Sequence, residues 1–180
     1  IGVAMGDDIA VFYTTDGGAT WTAGTVDLGT SSSDVEDVHM TTATTGFAVG
    51  DGGMLLKTTN GGINWVSQTS PTTSTIYDVY FSEPNFGWLA VDNGAVFYTN
   101  DAGATWNNIA VPLVIDCNEV YLQKSTGILF VGCDDGIIYS RDDAATGNDT
   151  PVNLPFVLQQ NFPNPFNPAT TIKFLSLIHI

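Results

Sequence analysis

Three acidic residues recur at a constant interval and are the first candidates for chemistry. Asp37, Asp78 and Glu119 lie 41 residues apart. Most glycoside hydrolases use two facing carboxyl groups for catalysis, one as general acid and the other as base or nucleophile. A carboxylate that recurs once per repeat instead favours a structural role in every unit, and we favour that interpretation.

Other residues that could support catalysis are scarce. Arg141 is the single arginine among four basic residues, and His39 stands alone on a predicted strand. The sequence contains no catalytic triad pattern and no glycine-rich phosphate loop. The acidic pairs at 134–135 and 142–143 match no EF-hand spacing and are typical of solvated turns. We therefore predict no catalytic residue, no metal site and no cofactor.

An octapeptide that ends in tryptophan sets the organisation of the chain. It occupies residues 14–21, 58–65 and 99–106, and a degraded copy at 140–147 has glycine in place of tryptophan. The tryptophans are 44 and then 41 residues apart. A period in the forties indicates a propeller or another repeat array.

Each octapeptide follows a β-prone segment and reads as a turn. The Asp or Asn at its third position can accept hydrogen bonds from backbone N–H groups, and its glycines allow positive φ. The tryptophan supplies a large apolar surface that fixes the turn. We assign this structural role to Thr14, Asp16, Gly18, Thr20, Trp21, Thr58, Asn60, Gly62, Trp65, Thr99, Asp101, Gly103, Thr105, Trp106, Ser140 and Asp142.

These octapeptides resemble the Asp box, S/T-x-D-x-G-x-T-W, of BNR-type β-propellers. The first and third copies match at every defined position, whereas the second has Asn60 and Asn64 instead of Asp and Thr. The resemblance implies turns at the propeller periphery, away from any central pocket. The Asp-box propellers that the chain resembles include sialidases, and these need three arginines, a tyrosine–glutamate pair and an acid/base aspartate. One arginine cannot supply that cluster.

The repeat extends beyond the turn into four short strands per unit, as in a propeller blade. Residues 1–25 fit the second half of a blade, two complete blades follow, and the last blade is degenerate. We predict an all-β fold: an incomplete β-propeller of about three to four four-stranded blades over 1–147, a linker at 148–155, and a truncated β-sandwich segment over 156–180. The propeller part most resembles the Ycf48-like domain, and we expect a fragment of a larger ring.

Composition restricts the partners. The 180 residues include 19 acidic and 4 basic side chains, a net charge of −15. Such a charge argues against nucleic acid and against anionic lipid. No segment is long and apolar enough for a membrane span, and no signal peptide is visible. We expect an acidic, soluble, secreted or cell-surface protein.

Two cysteines flank a predicted turn at residues 125–127. Folding a hairpin there puts Cys117 opposite positions 133–135 of the next strand, near Cys133. A disulfide in an oxidising compartment is one interpretation. Two small buried apolar side chains are the other.

The segment 156–174 is a proline-rich run followed by an alternating strand. By composition alone it could be an unspecific linker. It closely resembles the opening of the type A C-terminal sorting domain of the bacterial type IX (Por) secretion system, L-x-Q-N-[YF]-P-N-P-F-N-P-x-T-x-I-x-[FY]. That resemblance implies the type IX secretion machinery as a partner. The matching residues are Leu158, Gln160, Asn161, Phe162, Pro163, Asn164, Pro165, Phe166, Asn167, Pro168, Thr170, Ile172 and Phe174. Residues 175–180 depart from that family and resemble translated adapter sequence, so we assign them no role.

These features favour a non-catalytic binding or scaffold module whose ligand is an extracellular polysaccharide or protein. Exposed aromatic residues at a propeller mouth often bind such ligands, and Tyr77, Tyr80, Trp88 and Tyr121 are the candidates, although core packing is the more common fate. The alternatives are a piece of a secreted Asp-box glycoside hydrolase whose catalytic residues lie outside this chain, and a structural spacer.

Overall fold

The computed structural model describes residues 1–6, 10–27, 34–109 and 115–134, together with the backbone of 138–142 and 152–154. Its strands form four separate sheets, and in the described part of the chain the helical elements are single 3₁₀ turns at Asp51–Gly53 and Asp92–Gly94. Among these residues no helix has the length and apolar character needed to cross a membrane. The prediction of an all-β, incomplete propeller is confirmed.

The first sheet, blade 1, has three antiparallel strands in sequence order. These three strands correspond to the second half of a blade, as predicted for residues 1–25. The strands are β1 (Gly2–Met5), β2 (Val11–Thr14) and β3 (Thr22–Ala23).

Blade 2 has four antiparallel strands and a fifth that comes from the preceding segment. Strand β4 (Thr25–Asp27) leaves blade 1 and pairs in parallel with the outermost strand of blade 2. The four strands predicted for each unit did not include this addition. The four blade strands are β5 (Val35–Met40), β6 (Gly46–Gly50), β7 (Met54–Thr58) and β8 (Asn64–Ser67).

Blades 3 and 4 repeat the same antiparallel order from the innermost strand outwards. In blade 3 the strands are β9 (Ile76–Glu83), β10 (Phe86–Val91), β11 (Val96–Thr99) and β12 (Asn107–Ile109). In blade 4 they are β13 (Cys117–Gln123), β14 (Ile128–Cys133), β15 (Ile138–Asp142) and β16 (Val152–Leu154).

Strand β16 corrects the predicted domain boundary. Val152–Leu154 lies within the predicted linker 148–155 but pairs antiparallel with β15 as the fourth strand of blade 4. The Gly-Asn-Asp-Thr-Pro signal at 147–151 had been interpreted as the end of the fold, whereas it precedes one more strand. The propeller segment therefore extends to residue 154, and the predicted sorting segment 156–180 lies outside the described residues.

The core lies between blades, because the second strand of each unit is apolar on both faces. All five residues of β6 are buried, as are the last five of β10. Each junction buries its own cluster. Val11, Ala48, Leu56 and Trp65 belong to the junction of blades 1 and 2. Phe47, Val79 and Leu89 lie between blades 2 and 3. Ala90, Val120 and Val131 lie between blades 3 and 4.

The innermost strands β5, β9 and β13 lie side by side along the line where the blades meet. Their inner edges have no strand partner in the sheets of the described residues. Their side chains point alternately to the preceding and the following blade, since successive residues of a strand face opposite ways. This arrangement brings the recurring carboxylates together.

Candidate functional site

The three complete Asp boxes fold identically, and their first residue organises the turn. The Thr14 hydroxyl donates to Asp16 Oδ1 at 2.7 Å and accepts from the Gly18 N–H at 3.0 Å. Thr58 and Thr99 make the equivalent bonds to Asn60 and Asp101 and from Gly62 and Gly103. All three threonines are buried.

The third residue of each box closes the turn from the other side. Asp101 Oδ1 accepts the Thr105 N–H at 2.9 Å and Asp101 Oδ2 accepts the Thr105 hydroxyl at 2.6 Å. These two bonds, with a third from Thr99, stabilise the carboxylate and lower the pKa of Asp101 to about 2. The bonds from Thr20 and Thr14 likewise hold the pKa of Asp16 far below its usual range. In the second box Asn60 keeps the backbone bond, from Asn64 N–H at 3.0 Å, without the charge.

The box glycines pack directly against the preceding blade. A Cβ on Gly62 would lie 2.7 Å from Val3 Cγ2, and a Cβ on Gly103 would lie 2.7 Å from Phe47. Both glycines also have positive φ, of 89° and 76°. Close approach and backbone conformation therefore both require glycine here.

The tryptophans of the boxes fill the junctions between blades. Trp65 is 1% exposed and its Nε1–H donates to the Gly62 carbonyl at 3.1 Å. Trp106 meets the rings of Phe47 and Phe81 edge-on. Trp21 is 47% exposed, because the described residues contain no blade on its side of blade 1. Trp65 and Trp106 thus join neighbouring blades, a contact that the predicted role of fixing the turn did not include.

Of the fourth box, the structure describes the backbone of residues 140–142. Ser140 and Asp142 lie within β15 and pair with Phe130 and Ile128. In the other blades the third box residue lies beyond the strand. The remaining residues of this box, 143–147, lie outside the described part of the chain, so the Asp-box role of Ser140 and Asp142 stays a prediction.

Ala102 offers a test of the turn geometry. It has φ of 59°, where the first two boxes have Gly17 and Gly61. A left-handed backbone costs a non-glycine residue about 1–2 kcal/mol, and glycine avoids this cost. Part of the gain is offset because glycine also raises the conformational entropy of the unfolded state. Ala102→Gly is therefore expected to raise the free energy of unfolding by about 0.5–1 kcal/mol in urea titrations. Ala104→Gly, in the same turn, should give no gain. Equal effects of the two substitutions would contradict this explanation.

The recurring carboxylates join the innermost strands. Asp37 Oδ2 accepts the backbone N–H of Val79 at 3.1 Å, and Asp78 Oδ2 accepts that of Val120 at 2.7 Å. Each bond crosses from one blade to the next and occupies an N–H on the strand edge that no sheet partner uses. The sequence-based preference for a structural role is consistent with these bonds.

Asp37 and Asp78 also interact with each other. Burial, followed by a hydrogen bond to Asp37, raises the pKa of Asp78 to about 8. Asp78 is thus a neutral acid around pH 7. Glu119, the third member of the series, is exposed on the side of blade 4 that no described blade covers.

Aromatic rings form a second series two residues further along the same strands. Tyr80 lies 5.5 Å from His39 and 5.3 Å from Tyr121, ring centroid to centroid. Burial lowers the pKa of His39 and raises the pKa of Tyr80. Of the four predicted mouth aromatics, Trp88 is 4% exposed and belongs to the core, and Tyr121 is 51% exposed.

The fourth aromatic, Tyr77, marks an acidic rim. Burial raises the pKa of Tyr77, and the nearby carboxylates Asp92, Asp116, Glu36 and Asp134 raise it further. We call these four carboxylates and Tyr77 the acidic rim. It lies at the end of the innermost strands where the acidic glycine turns are located.

One pair within the rim shares a hydrogen bond. Asp116 Oδ1 accepts the Asn93 N–H at 2.9 Å, which together with Asp92 lowers the pKa of Asp116. The hydrogen bond to Asp116 raises the pKa of Asp92. Sequence analysis missed this pair, although the acidic turn preceding each third strand was a usable signal. In the described part of the chain no group of three or more metal-ligating side chains is arranged to hold an ion.

Cys117 and Cys133 are directly opposite on β13 and β14, and their sulfur atoms are bonded. The bond closes a loop with a sequence separation of 16.

Thiol chemistry tests this bond. Protein purified without reductant is expected to show no free thiol. Reduction should lower the free energy of unfolding by about 2–3 kcal/mol, the effect of opening a loop of this length. A Cys117→Ala/Cys133→Ala variant should not respond to reductant. Two reactive thiols in the unreduced protein would contradict the pairing.

Comparisons with known proteins agree with the repeat geometry. Residues 63–126 match the family model described as photosynthesis system II assembly factor YCF48. No curated protein matches the chain. Three solved structures share the fold at low sequence identity.

The structure titled "YCF48 bound to D1 peptide" has a TM-score of 0.55 and 21% identity, over 69% of this chain and 41% of that one. YCF48 from Cyanidioschyzon merolae has a TM-score of 0.58 and 18% identity, over 77% and 49%. AFV00434, titled an ancestral GH74 enzyme, has a TM-score of 0.63 and 18% identity, over 79% and 21%.

The chain thus spans less than half the length of each of these structures. The solved structures show a β-propeller fold, and residues 63–126 are similar to the YCF48 family model.

Proposed function

We propose that the chain is a non-catalytic binding module of an exported protein. The proposal rests on the hydrogen bonds that the carboxylates of the innermost strands make. Asp37 and Asp78 accept backbone N–H groups of the next blade, and Asp78 also forms a hydrogen bond to Asp37. Carboxylates engaged in this way stabilise the ring and are not free to act on a glycosidic bond.

The acidic rim favours a cationic ligand. The charges of four carboxylates act on Tyr77 in a chain of net charge −15, and such a surface attracts positive groups and repels the carboxylate of a sialic acid. One of the structures of similar fold is described as YCF48 bound to D1 peptide. We therefore infer an extended peptide with basic side chains as the ligand class.

Fluorescence anisotropy with matched labelled peptides tests this ligand class. A lysine-containing peptide should bind, with affinity that falls as salt is added, whereas the same peptide with glutamate in place of lysine should not. Asp116→Asn and Glu36→Gln in the rim should weaken binding, and Asp27→Asn on the outer strand β4 should not. Equal binding of both peptides, or equal loss in all three variants, would contradict the proposal.

Export through the type IX system rests on the sorting run at 158–174, which lies outside the described residues. In a host with this system, the protein is expected at the cell surface or in the medium, and in the periplasm once the translocon is inactivated. Asn161→Ala with Pro163→Ala should have the same effect as inactivation, and Thr72→Ala should not. The same distribution in all strains would exclude this route.

The second candidate is a piece of a secreted glycoside hydrolase, which the similarity to the ancestral GH74 enzyme favours. Its test is hydrolysis of a panel of fluorogenic glycosides, sialosides included. The binding-module proposal expects no turnover above that of an Asp78→Asn variant. Turnover that this variant abolishes would support the enzyme instead.

A further inference from the structure

The innermost strands of blades 2, 3 and 4 share an irregularity at the end where the acidic rim lies. One residue of each strand has no partner in the register with the second strand, which is the pattern of a β-bulge. A bulge redirects the side chain of its extra residue. The extra residues are Glu36, Tyr77 and Asn118. The first two belong to the acidic rim, so the bulges help to form it.

The residue pair just before each bulge is joined covalently in blade 4. Cys117 pairs with Cys133 there, and their disulfide ties the end of β13 to the end of β14. The equivalent pairs of blades 2 and 3 contain no cysteine and are Val35–Gly50 and Ile76–Val91. Cys117 is buried in the cluster between blades 3 and 4, and Cys133 packs against that cluster. The disulfide is thus part of a junction whose two sides are both described.

The residues next to the disulfide form the blade 4 part of the acidic rim. Asp116 precedes Cys117, and Asp134 follows Cys133. The Asp134 N–H donates to the Asp116 carbonyl at 2.9 Å. The side-chain amide of Asn118, the bulge residue, donates to Asp134 Oδ1 at 2.7 Å. The disulfide therefore fixes the strand ends that carry two of the four rim carboxylates.

Asp116 also links this end of blade 4 to blade 3. Its Oδ1 accepts the Asn93 N–H at 2.9 Å, in the acidic turn of blade 3. Blades 2 and 3 close the same strand ends with main-chain bonds and no disulfide. Those bonds run from Asp51 N–H to the Asp34 carbonyl and from Asp92 N–H to the Thr75 carbonyl. They provide an internal comparison for blade 4.

We propose that the Cys117–Cys133 disulfide is a redox switch for ligand binding at the acidic rim. This inference rests on the proposed peptide-binding function. With the bond closed, Asp116 and Asp134 are held in place before the peptide arrives, so binding does not have to order them. With the bond open, hydrogen bonds alone hold the two strand ends together, and the peptide has to order both carboxylates.

Opening requires a dithiol reductant and proceeds by thiol–disulfide exchange. Cys117 is 0% exposed and Cys133 is partly exposed, so the thiolate of the reductant attacks the Cys133 sulfur. The Cys117 sulfur leaves as a thiolate and takes up a proton. The second thiol of the reductant then displaces the Cys133 sulfur. Two electrons and two protons have passed to the protein, and the dithiol has become a disulfide.

Fluorescence anisotropy with the lysine-containing peptide tests the switch on the oxidised chain and on the chain reduced with dithiothreitol. Reduction should weaken binding roughly tenfold, the effect of having to order two side chains on binding, and reoxidation should restore it. Cys117→Ala/Cys133→Ala should bind like the reduced chain under both conditions. Thermal unfolding identifies a temperature at which the reduced chain and this variant are folded.

Two rim variants locate the effect. Asp116→Asn removes a carboxylate that the disulfide holds, so reduction should weaken its binding less than that of the wild type. Glu36→Gln removes a carboxylate of blade 2, and its response to reduction should equal that of the wild type, since independent effects add. Equal responses of the two variants would contradict a switch that acts through Asp116.

Hydrogen exchange of the chain without peptide gives a second measurement. Reduction should speed exchange at the Asp134 and Asn93 amides, because both donate to Asp116. The Asp51 and Asp92 amides make the equivalent main-chain bonds in blades 2 and 3 and should keep their rates. This difference separates a local opening of blade 4 from a general loss of stability.

The outcomes distinguish the switch from the function on which it rests. Selective binding of the lysine peptide that is equal in the two redox states overturns the switch and leaves the binding function in place. Binding in neither state overturns both. Weaker binding on reduction, with exchange that rises equally at Asp134, Asp51 and Asp92, also overturns the switch, because the whole chain has then loosened.

Discussion

Replacing Trp65 by alanine is expected to lower the free energy of unfolding by about 3–5 kcal/mol, the usual cost of removing a large buried aromatic side chain. Trp65 is 1% exposed in the junction of blades 1 and 2, and its indole N–H donates to the Gly62 carbonyl. The substitution removes the apolar contacts and leaves a cavity. Urea titration at low protein concentration measures the change.

Trp21→Ala is the matched control, because Trp21 has the same place in its Asp box and is 47% exposed. Its replacement should cost less than about 1 kcal/mol under the same conditions. Trp65→Phe, which keeps most of the apolar volume, provides a measurable intermediate if the alanine variant does not fold. Similar losses for Trp65→Ala and Trp21→Ala would show that the tryptophan does not act through the blade junction.

The second large effect is a dependence of stability on pH that Asp78 causes. Its pKa is about 8 in the folded chain and near 3.8 when unfolded. Between these values the folded state holds a proton that the unfolded state has released, so stability falls as pH rises. We expect the loss to start above pH 4 and to be complete above pH 8.

Asp78→Asn should remove most of this dependence. The amide imitates the protonated acid, since its oxygen can still accept the Val120 N–H and its NH₂ can donate to Asp37. The variant should match the wild type near pH 4 and exceed it by several kcal/mol above pH 8. Asp27→Asn removes the same charge from an exposed strand and should keep the wild-type slope. A wild type with constant stability from pH 4 to pH 8 would contradict the raised pKa of Asp78.

Sequence periodicity was sufficient to predict the blades. The octapeptide recurs every 41 to 44 residues, and blades 2 and 3 have the four antiparallel strands per unit that this repeat predicts. Local patterns determine hairpins and their register, so they are readable from one sequence. The charge distribution likewise indicated the acidic turns.

Contacts between blades were harder to predict, because they join residues about 41 positions apart through side-chain direction. The recurrence of Asp37 and Asp78 indicated a structural role but not its N–H partners.

Because β4 pairs in parallel with β8, we expect the blades to differ in how independently they unfold. Thr25 also donates its hydroxyl to Asn64 at 2.7 Å, inside the second Asp box. Blades 2 and 3 contact each other through side-chain packing and side-chain hydrogen bonds. Blades 1 and 2 are also joined by the main-chain pairing of β4, which follows blade 1 directly, with the outer strand of blade 2. Loss of blade 1 therefore removes the outer strand of blade 2 and exposes a bare sheet edge, the kind of edge that recruits other chains into aggregates. The first two blades should protect their amides from hydrogen exchange as one unit and release them together.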